Sequence, residues 1–291
     1  MLNHNLKIFL AVAQTGSITE TAKKMYISQP SVSQSIKTLE TELNVKLFYR
    51  NKRHGVKLTE AGNKIRLLAL EMEHLEDQIY QTAFRENNFI GGNLKIGSLS
   101  ILTAMFLPEP LRIFKERYPE VSITLLEGSP TQLREMSEEH SVDLSLSCSP
   151  FGKLDHEILM SDKMVGIVSE RSKGMKAIDL TKNNEGLLIV KENFETTNES
   201  LLGKLRLDPT ATFTTFSAAS VINLVKKGVG NGIISKYTLE MIAPGTPFIP
   251  VKPEIDIEVG VQCVDLNDLT PVAKEFLKIL REYTNTYDNN S

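Results

Sequence analysis

Gln29, Ser31, Ser33, Gln34 and Lys37 fall within nine residues of one another, with Pro30 among them. Gln and Ser side chains suit hydrogen bonding to the edges of bases in a duplex groove. Shortly afterwards comes Arg50-Asn51-Lys52-Arg53-His54-Gly55, where Arg50, Lys52 and Arg53 make a basic tip suited to straddling phosphates. A second set of candidate binding residues is spread through the rest of the chain: the hydroxyls Ser98, Ser100 and Thr103, then Ser147 and Ser149, then Ser217 with the apolar ring of Phe216 before it. Hydroxyls of this kind, together with helix-start N–H groups, can hold a small anion or a polar head group. Each of them would serve equally well as an ordinary helix cap or turn residue.

Other reactive residue types lack the spacing that chemistry requires. His4, His54, His74, His140 and His156 are scattered, with no two placed to share one helix face, so zinc is not expected. Cys148 and Cys263 are too few for a disulfide framework; Cys148 suits either a redox role or buried packing, and packing is the expectation. The run Gly228-x-Gly230-x-Gly232 follows a helical pattern and precedes a strand, the reverse of a dinucleotide loop, and reads as a helix stop. No phosphate-binding loop, nucleophile elbow or Cys-His pair is present, so no enzyme and no cofactor is expected.

The elements that must position the first set can be read locally. Phe9 to Met25 forms two short helices broken at Gly16, with Ser17 capping the second and Glu20 completing a capping box. Tyr26-Ile27 makes a tight turn, and Ser28 caps a third helix in which Val32, Ile36, Leu39 and Leu43 form the buried stripe. Lys46 to Tyr49 and Val56 to Leu58 then read as strands flanking the basic tip, giving a winged helix–turn–helix. Three helices and a basic loop could also be nothing more than a solvated surface.

The residues themselves weigh against that bland alternative. Phe9, Ala11-Val12-Ala13, Gly16-Ser17, Ala22, Ser28-Gln29-Pro30, Ser33-Gln34, Leu39-Glu40, Leu47-Phe48-Tyr49-Arg50 and Leu58-Thr59-Glu60-Ala61-Gly62 stand in one register. Over residues 6–62 the chain resembles the N-terminal domain of the LysR-type transcriptional regulators. Two departures are Thr21, where a second Ala is usual, and Asn44, where Gly is usual; Asn tolerates the left-handed helix end that this position needs.

Thr59 to Phe84 reads as one helix in which Ile65, Leu68, Met72, Leu75 and Ile79 step by three and four, the spacing of a coiled-coil seam. Such a stripe pairs with a second copy or packs on its own body. The family resemblance implies the former, a linker helix that joins two subunits, with tetramers built from the dimers.

After Asn87 to Asn93 the pattern changes to strands alternating with helices, beginning with Leu94 to Gly97 and a helix from Leu102 to Tyr118 that has Pro108 near its start or at a kink. Strands at 121–126 and 142–146 enclose a helix at 131–139, which predicts a parallel α/β sheet. Further strands are expected at 164–168, 186–190, 211–216, 232–235 and 257–263, with helices at 199–205, 217–227 and 271–283. Asn93-Leu94-Lys95-Ile96-Gly97, Phe114-x-x-x-Tyr118-Pro119, Val142-Asp143-Leu144, Leu224-Val225-x-x-Gly228-Val229-Gly230 and Pro271-x-Ala273-x-x-Phe276-Leu277 resemble the effector domain of the same family. Ile234-Ser235 replaces the usual Leu-Pro. The resemblance implies two α/β subdomains like those of periplasmic binding proteins, with a cleft between them.

Charge follows the same division. Residues 1–62 hold nine Lys and Arg against four Glu, a net of +5, and the remainder holds 24 against 32, a net of −8. The overall −3 therefore conceals a basic head. With 41% hydrophobic residues over 291 positions, the chain can bury more than one core, which excludes wholesale disorder. The first residues lack a basic then apolar export signal, and no stretch is long and apolar enough to span a membrane, so a cytoplasmic protein is expected.

The expected organisation is a winged helix–turn–helix DNA-binding domain at 1–58, a linker helix and hinge at 59–90, and an effector domain at 91–291. The last divides into about 91–160 with 266–291, and 161–265. Expected partners are double-stranded promoter DNA, an anionic or polar small-molecule co-inducer, and further copies of the chain, with RNA polymerase a further candidate. The competing expectation is a ligand-binding protein whose head serves only assembly.

Overall fold

A computed structural model of the chain describes residues 3–51, 55–86, 91–182, 186–190, 212–215 and 217–288. Two compact units are present: Met1–Gly92 with Glu139–Ser141, and Asn93–Glu138 with Val142–Ser291.

In the first unit, α1 (His4–Thr15) is capped by Asn3, whose side chain accepts from Asn5 N at 2.7 Å. It ends at Gly16, with φ at +66° and its N–H donating to Val12 O. This left-handed turn is the reason for the helix break at Gly16. Ser17 caps α2 (Ile18–Lys24) and Ser28 caps α3 (Gln29–Glu42), each by accepting a backbone N–H in the first turn. Asn44 adopts the expected left-handed backbone, at φ +51°. Thr21, fully buried in place of the usual Ala, donates to Ser17 O at 2.9 Å, so its hydroxyl carries no desolvation cost.

Strands β1 (Phe48–Asn51) and β2 (Gly55–Leu58) pair antiparallel, with Phe48 opposite Leu58. Ile8, Phe9, Val12, Val32, Ile36, Leu39, Leu47 and Phe48 form one core, in which Phe9 and Phe48 lie 5.4 Å apart between ring centroids. Burying each large side chain there stabilises the head by about 1.5–3 kcal/mol. Helix α4 (Glu60–Glu86) follows Thr59, whose Oγ1 accepts from Gly62 N and donates to Lys46 O. Gly62 lies so close to the wing that a Cβ there would stand 2.2 Å from Leu47 O.

The second unit opens with β3 (Gly92–Ser98), α5 (Ser100–Met105), α6 (Pro108–Arg117), β4 (Val121–Glu127), α7 (Pro130–Glu138) and the wholly buried β5 (Leu144–Cys148). The single helix expected from Leu102 to Tyr118 is two helices. Pro108 has no N–H to continue the first and instead begins the second.

The chain continues through β6 (Asp155–Ile167), β7 (Ile178–Asp179), β8 (Leu187–Val190), β9 (Thr212–Thr215), α8 (Ala218–Lys226), β10 (Asn231–Ser235), α9 (Lys236–Ile242), β11 (Ile249–Lys252), β12 (Asp256–Cys263) and α10 (Pro271–Asp288). The main sheet runs β4-β3-β5-β12-β6-β10-β8-β9, with β11 joined to β6 and β7. It is mixed rather than wholly parallel. β3 and β5 run parallel, as do β8, β9 and β10, but β12 is antiparallel to both β5 and β6. The helix expected at 199–205 lies outside the described residues.

Two features bind the far end of the chain to the start of this unit. Asp143, buried before β5, accepts from Lys95 N at 2.7 Å and from Thr270 Oγ1, which itself accepts from Ala273 N at the start of α10. Phe276 on α10 packs edge-on against Phe114 on α6 at 5.3 Å. Gly228 ends α8 with φ at +74°, and a Cβ on Gly230 would lie 1.8 Å from Gly186 O, so the Gly-rich run is a helix stop followed by a close strand approach.

Candidate nucleic-acid interface and ligand cleft

Helix α3 separates its two faces cleanly. Val32, Ile36 and Leu39 enter the core, whereas Gln29, Pro30, Ser31, Gln34 and Lys37 are exposed and Ser33 is half-buried. Ser31 Oγ also lies 2.8 Å from Ser28 Oγ, so its hydroxyl is shared with the cap. Among the described residues the Gln34 amide reaches only Thr38 Oγ1, at 3.4 Å, a weak hold that leaves it available to a base.

Glu40, on the buried side, anchors this helix to the wing. Its carboxylate accepts from Leu47 N at 2.9 Å and from Lys46 Nζ at 2.8 Å, with Phe48 N at 3.5 Å. Burial alone would raise the Glu40 carboxyl; the bonds from Lys46, Leu47 and Phe48 outweigh it and hold the group below its ordinary value. Arg50 lies on β1 opposite Val56. Lys52 and Arg53 lie outside the described residues.

Two aromatic residues on this surface escaped the sequence reading. Tyr26, in the turn before α3, is 95% exposed at φ +56°, and Tyr49 on β1 is 65% exposed. Large aromatic rings left in water suit contact with a partner.

On α4, Leu68, Met72, Leu75 and Ile79 are exposed, joined by Leu67 and Tyr80. Ile65, assigned to the same seam, packs against the core of its own head.

In the second unit, the hydroxyls expected to line a cleft are mostly committed elsewhere. Ser98 is fully buried and donates to Leu99 O at 3.0 Å; Thr103 donates to the same carbonyl at 3.3 Å. Ser147 is buried in β5, and Ser149 exchanges hydrogen bonds with Glu258. Ser217 caps α8 and Ser100 is half-buried at the start of α5. Phe216 lies outside the described residues.

A small pocket does open beyond the ends of β3, β5 and β10, but it is lined by chain neighbours of those hydroxyls. Leu99, Ile101, Leu102 and Cys148 meet Ile257 and Val259 there, and the polar contribution comes from Asp162, Ser235, Tyr237 and Thr238. Asp162 accepts from Ser235 Oγ and from Tyr237 N at 3.2 Å, and Ser235 Oγ in turn accepts from Thr238 N at 3.1 Å. An internal carboxylate thus satisfies the start of α9. The sequence signal for this cluster was the departure at Ile234-Ser235, since the Ser that replaces Pro there is both a cap and a donor to Asp162.

Cys148 lines this pocket as a thiol, because burial pushes it up to about 11; burial, with Asp155 and Asp265 nearby, pushes Cys263 up to about 12. Cys148 stands opposite Val259 on β12, four residues from Cys263. At about 3.3 Å per residue the two are roughly 13 Å apart, too far for a disulfide.

Comparison with known proteins places both units. Residues 3–63 match the bacterial regulatory helix-turn-helix protein, lysR family, and residues 88–285 match the LysR substrate binding domain. The chain belongs to the LysR family. Its members are transcriptional regulators with a DNA-binding head and an effector-binding body, and they are not enzymes. Among LysR relatives, the uncharacterized HTH-type transcriptional regulator YoaU of Bacillus subtilis (strain 168) is 34% identical over 283 residues, covering 96% of this chain and 97% of that one. A full-length OxyR variant from Pseudomonas aeruginosa shares the LysR fold at a TM-score of 0.73, with 20% identity over 98% of this chain and 94% of that one. CbnR solved with its target DNA matches at a TM-score of 0.60, with 18% identity over 97% and 99%. Among the described residues, no helix of this LysR protein is long and apolar enough to cross a membrane.

Proposed function

We propose that the chain reads promoter DNA through the outer face of α3, in the manner for which CbnR with its target DNA is a structural precedent. The observation that carries this reading is the exposed row Gln29, Pro30, Ser31, Gln34 and Lys37, with half-buried Ser33 among them, on a helix whose opposite face is locked into the head core. Arg50, Lys52 and Arg53 hold phosphates beside it, with Tyr26 and Tyr49 flanking. Leu68, Met72, Leu75 and Ile79 pair α4 with a second copy; dimers join into tetramers; and two heads then meet successive major-groove faces.

The body takes a small polar or anionic co-inducer in a cleft of which the pocket beyond β3, β5 and β10 forms only one part, with the effector domain read as lobes of about 91–160 plus 266–291, and 161–265. The protein works in the cytoplasm, where its occupancy of a promoter changes the access of RNA polymerase.

The test is a selection of genomic DNA fragments by the purified chain at several salt concentrations. Enrichment of sites with two-fold symmetry upstream of genes supports the reading. Retention that depends on salt but not on sequence would leave assembly as the role of the head.

A further inference from the structure

Asp162 and Tyr237 also border a second cavity, a groove of about 400 Å³. That volume lies within the range of small-molecule sites. Its chemistry differs from that of the small apolar pocket, because both charge signs and two aromatic rings share its walls. Lys163 on β6 and Asp256 on β12 are cross-strand partners, Lys236 and Glu240 come from α9, and Phe106 and Tyr237 supply the rings.

The charges of this groove are incompletely matched by the protein. Lys236 meets Glu240 only at 3.4 Å, and Lys163 meets Glu254 only at 3.9 Å, both longer than a charge-assisted hydrogen bond. Among the described residues no cation lies within ion-pair distance of Asp256. A ligand ammonium would give Asp256 its counter-charge. A ligand carboxylate would give Lys236 and Lys163 closer partners than they now have. The half-buried Met160 side chain gives the groove an apolar wall that accommodates a hydrocarbon tail.

We propose that this groove is a second small-molecule site of the body, one that takes an α-amino acid with an unbranched apolar side chain. The proposal is independent of which ligand enters the smaller pocket, because Asp256 does not line that pocket.

Isothermal titration of the full chain with three matched probes tests it: norleucine, hexanoate, which lacks the amine, and pentylammonium, which lacks the carboxylate. Norleucine is expected to bind, and each truncated probe to bind about ten-fold more weakly or worse. Asp256→Asn should weaken norleucine by about ten-fold and leave hexanoate unchanged, while Lys236→Gln should weaken both. Asp256 is exposed and Lys236 half-buried, so circular dichroism should show both variants folded. Hexanoate binding as tightly as norleucine, an unchanged norleucine affinity in Asp256→Asn, or no heat with any probe at millimolar concentration would each overturn the proposal.

Discussion

Gln34 and Glu40 sit six positions apart on α3 and do opposite work, one facing outward with a loosely held amide and the other inward with a carboxylate bonded to the wing. Replacing Gln34 by Ala should cost about 1–3 kcal/mol on the preferred duplex and little on a scrambled one, measured by competition binding. Equal losses on both duplexes would remove Gln34 from base reading. Glu40→Gln should destabilise the head by about 1–3 kcal/mol at neutral pH, because a charged acceptor of buried N–H groups is lost. Since the folded carboxyl is held below its ordinary value, its contribution is present above the usual carboxylate range and is lost as pH falls through it. Acid titration of thermal stability should therefore be shallower in Glu40→Gln than in the parent. The cysteines give a third residue-level expectation. With thiols raised to about 11 and 12, alkylation at neutral pH should be slow in the folded chain and fast after denaturation.

At the scale of elements, α4 is the helix proposed to pair two copies of the chain. Leu68→Glu with Leu75→Glu places two charges in the exposed stripe and should weaken self-association by about a hundred-fold or more, measured by sedimentation, without unfolding the head. A variant that stays dimeric would show that the seam lies elsewhere. The same helix begins against the wing. Gly62→Ala should cost about 1–3 kcal/mol of head stability or more, since a methyl group there meets the Leu47 carbonyl. Local rules explain what was legible here. Caps at Ser17 and Ser28, the helix end at Gly16 and the buried Val32, Ile36 and Leu39 of α3 all depend on neighbours within one turn, whereas Leu43, read into the same stripe, is exposed at the helix end. Ile65 shows the limit of that approach, for its spacing fits the seam while its side chain belongs to the head core. The first half of β6 escaped for a related reason: Asp155, His156, Ser161 and Lys163 face outward, so the segment reads as polar loop while the bonds that make it a strand come from β12, about 100 residues later. The pocket was missed similarly, because Asp162 and Ser235 meet only once the sheet is assembled.

At the scale of the whole molecule, charge is divided so that the part assigned to DNA is basic and the remainder acidic. Like charge keeps the body away from phosphate, and association is steered through the head. The logarithm of the DNA affinity should fall with the logarithm of salt concentration by about 0.9 for each phosphate contacted, and a slope near zero would contradict the basic wing's assigned role. The manner in which α10 closes the sheet that β3 opened has a consequence for the order in which the protein comes into being. On the ribosome, residues 3–63 can complete their own core while most of the chain is still unmade, whereas Phe114 and Asp143 must wait for Phe276 and Thr270. A nascent chain released before Thr270 and Phe276 are made would therefore already hold a DNA-reading head with no finished body to govern it, a competitor for the regulator's own sites.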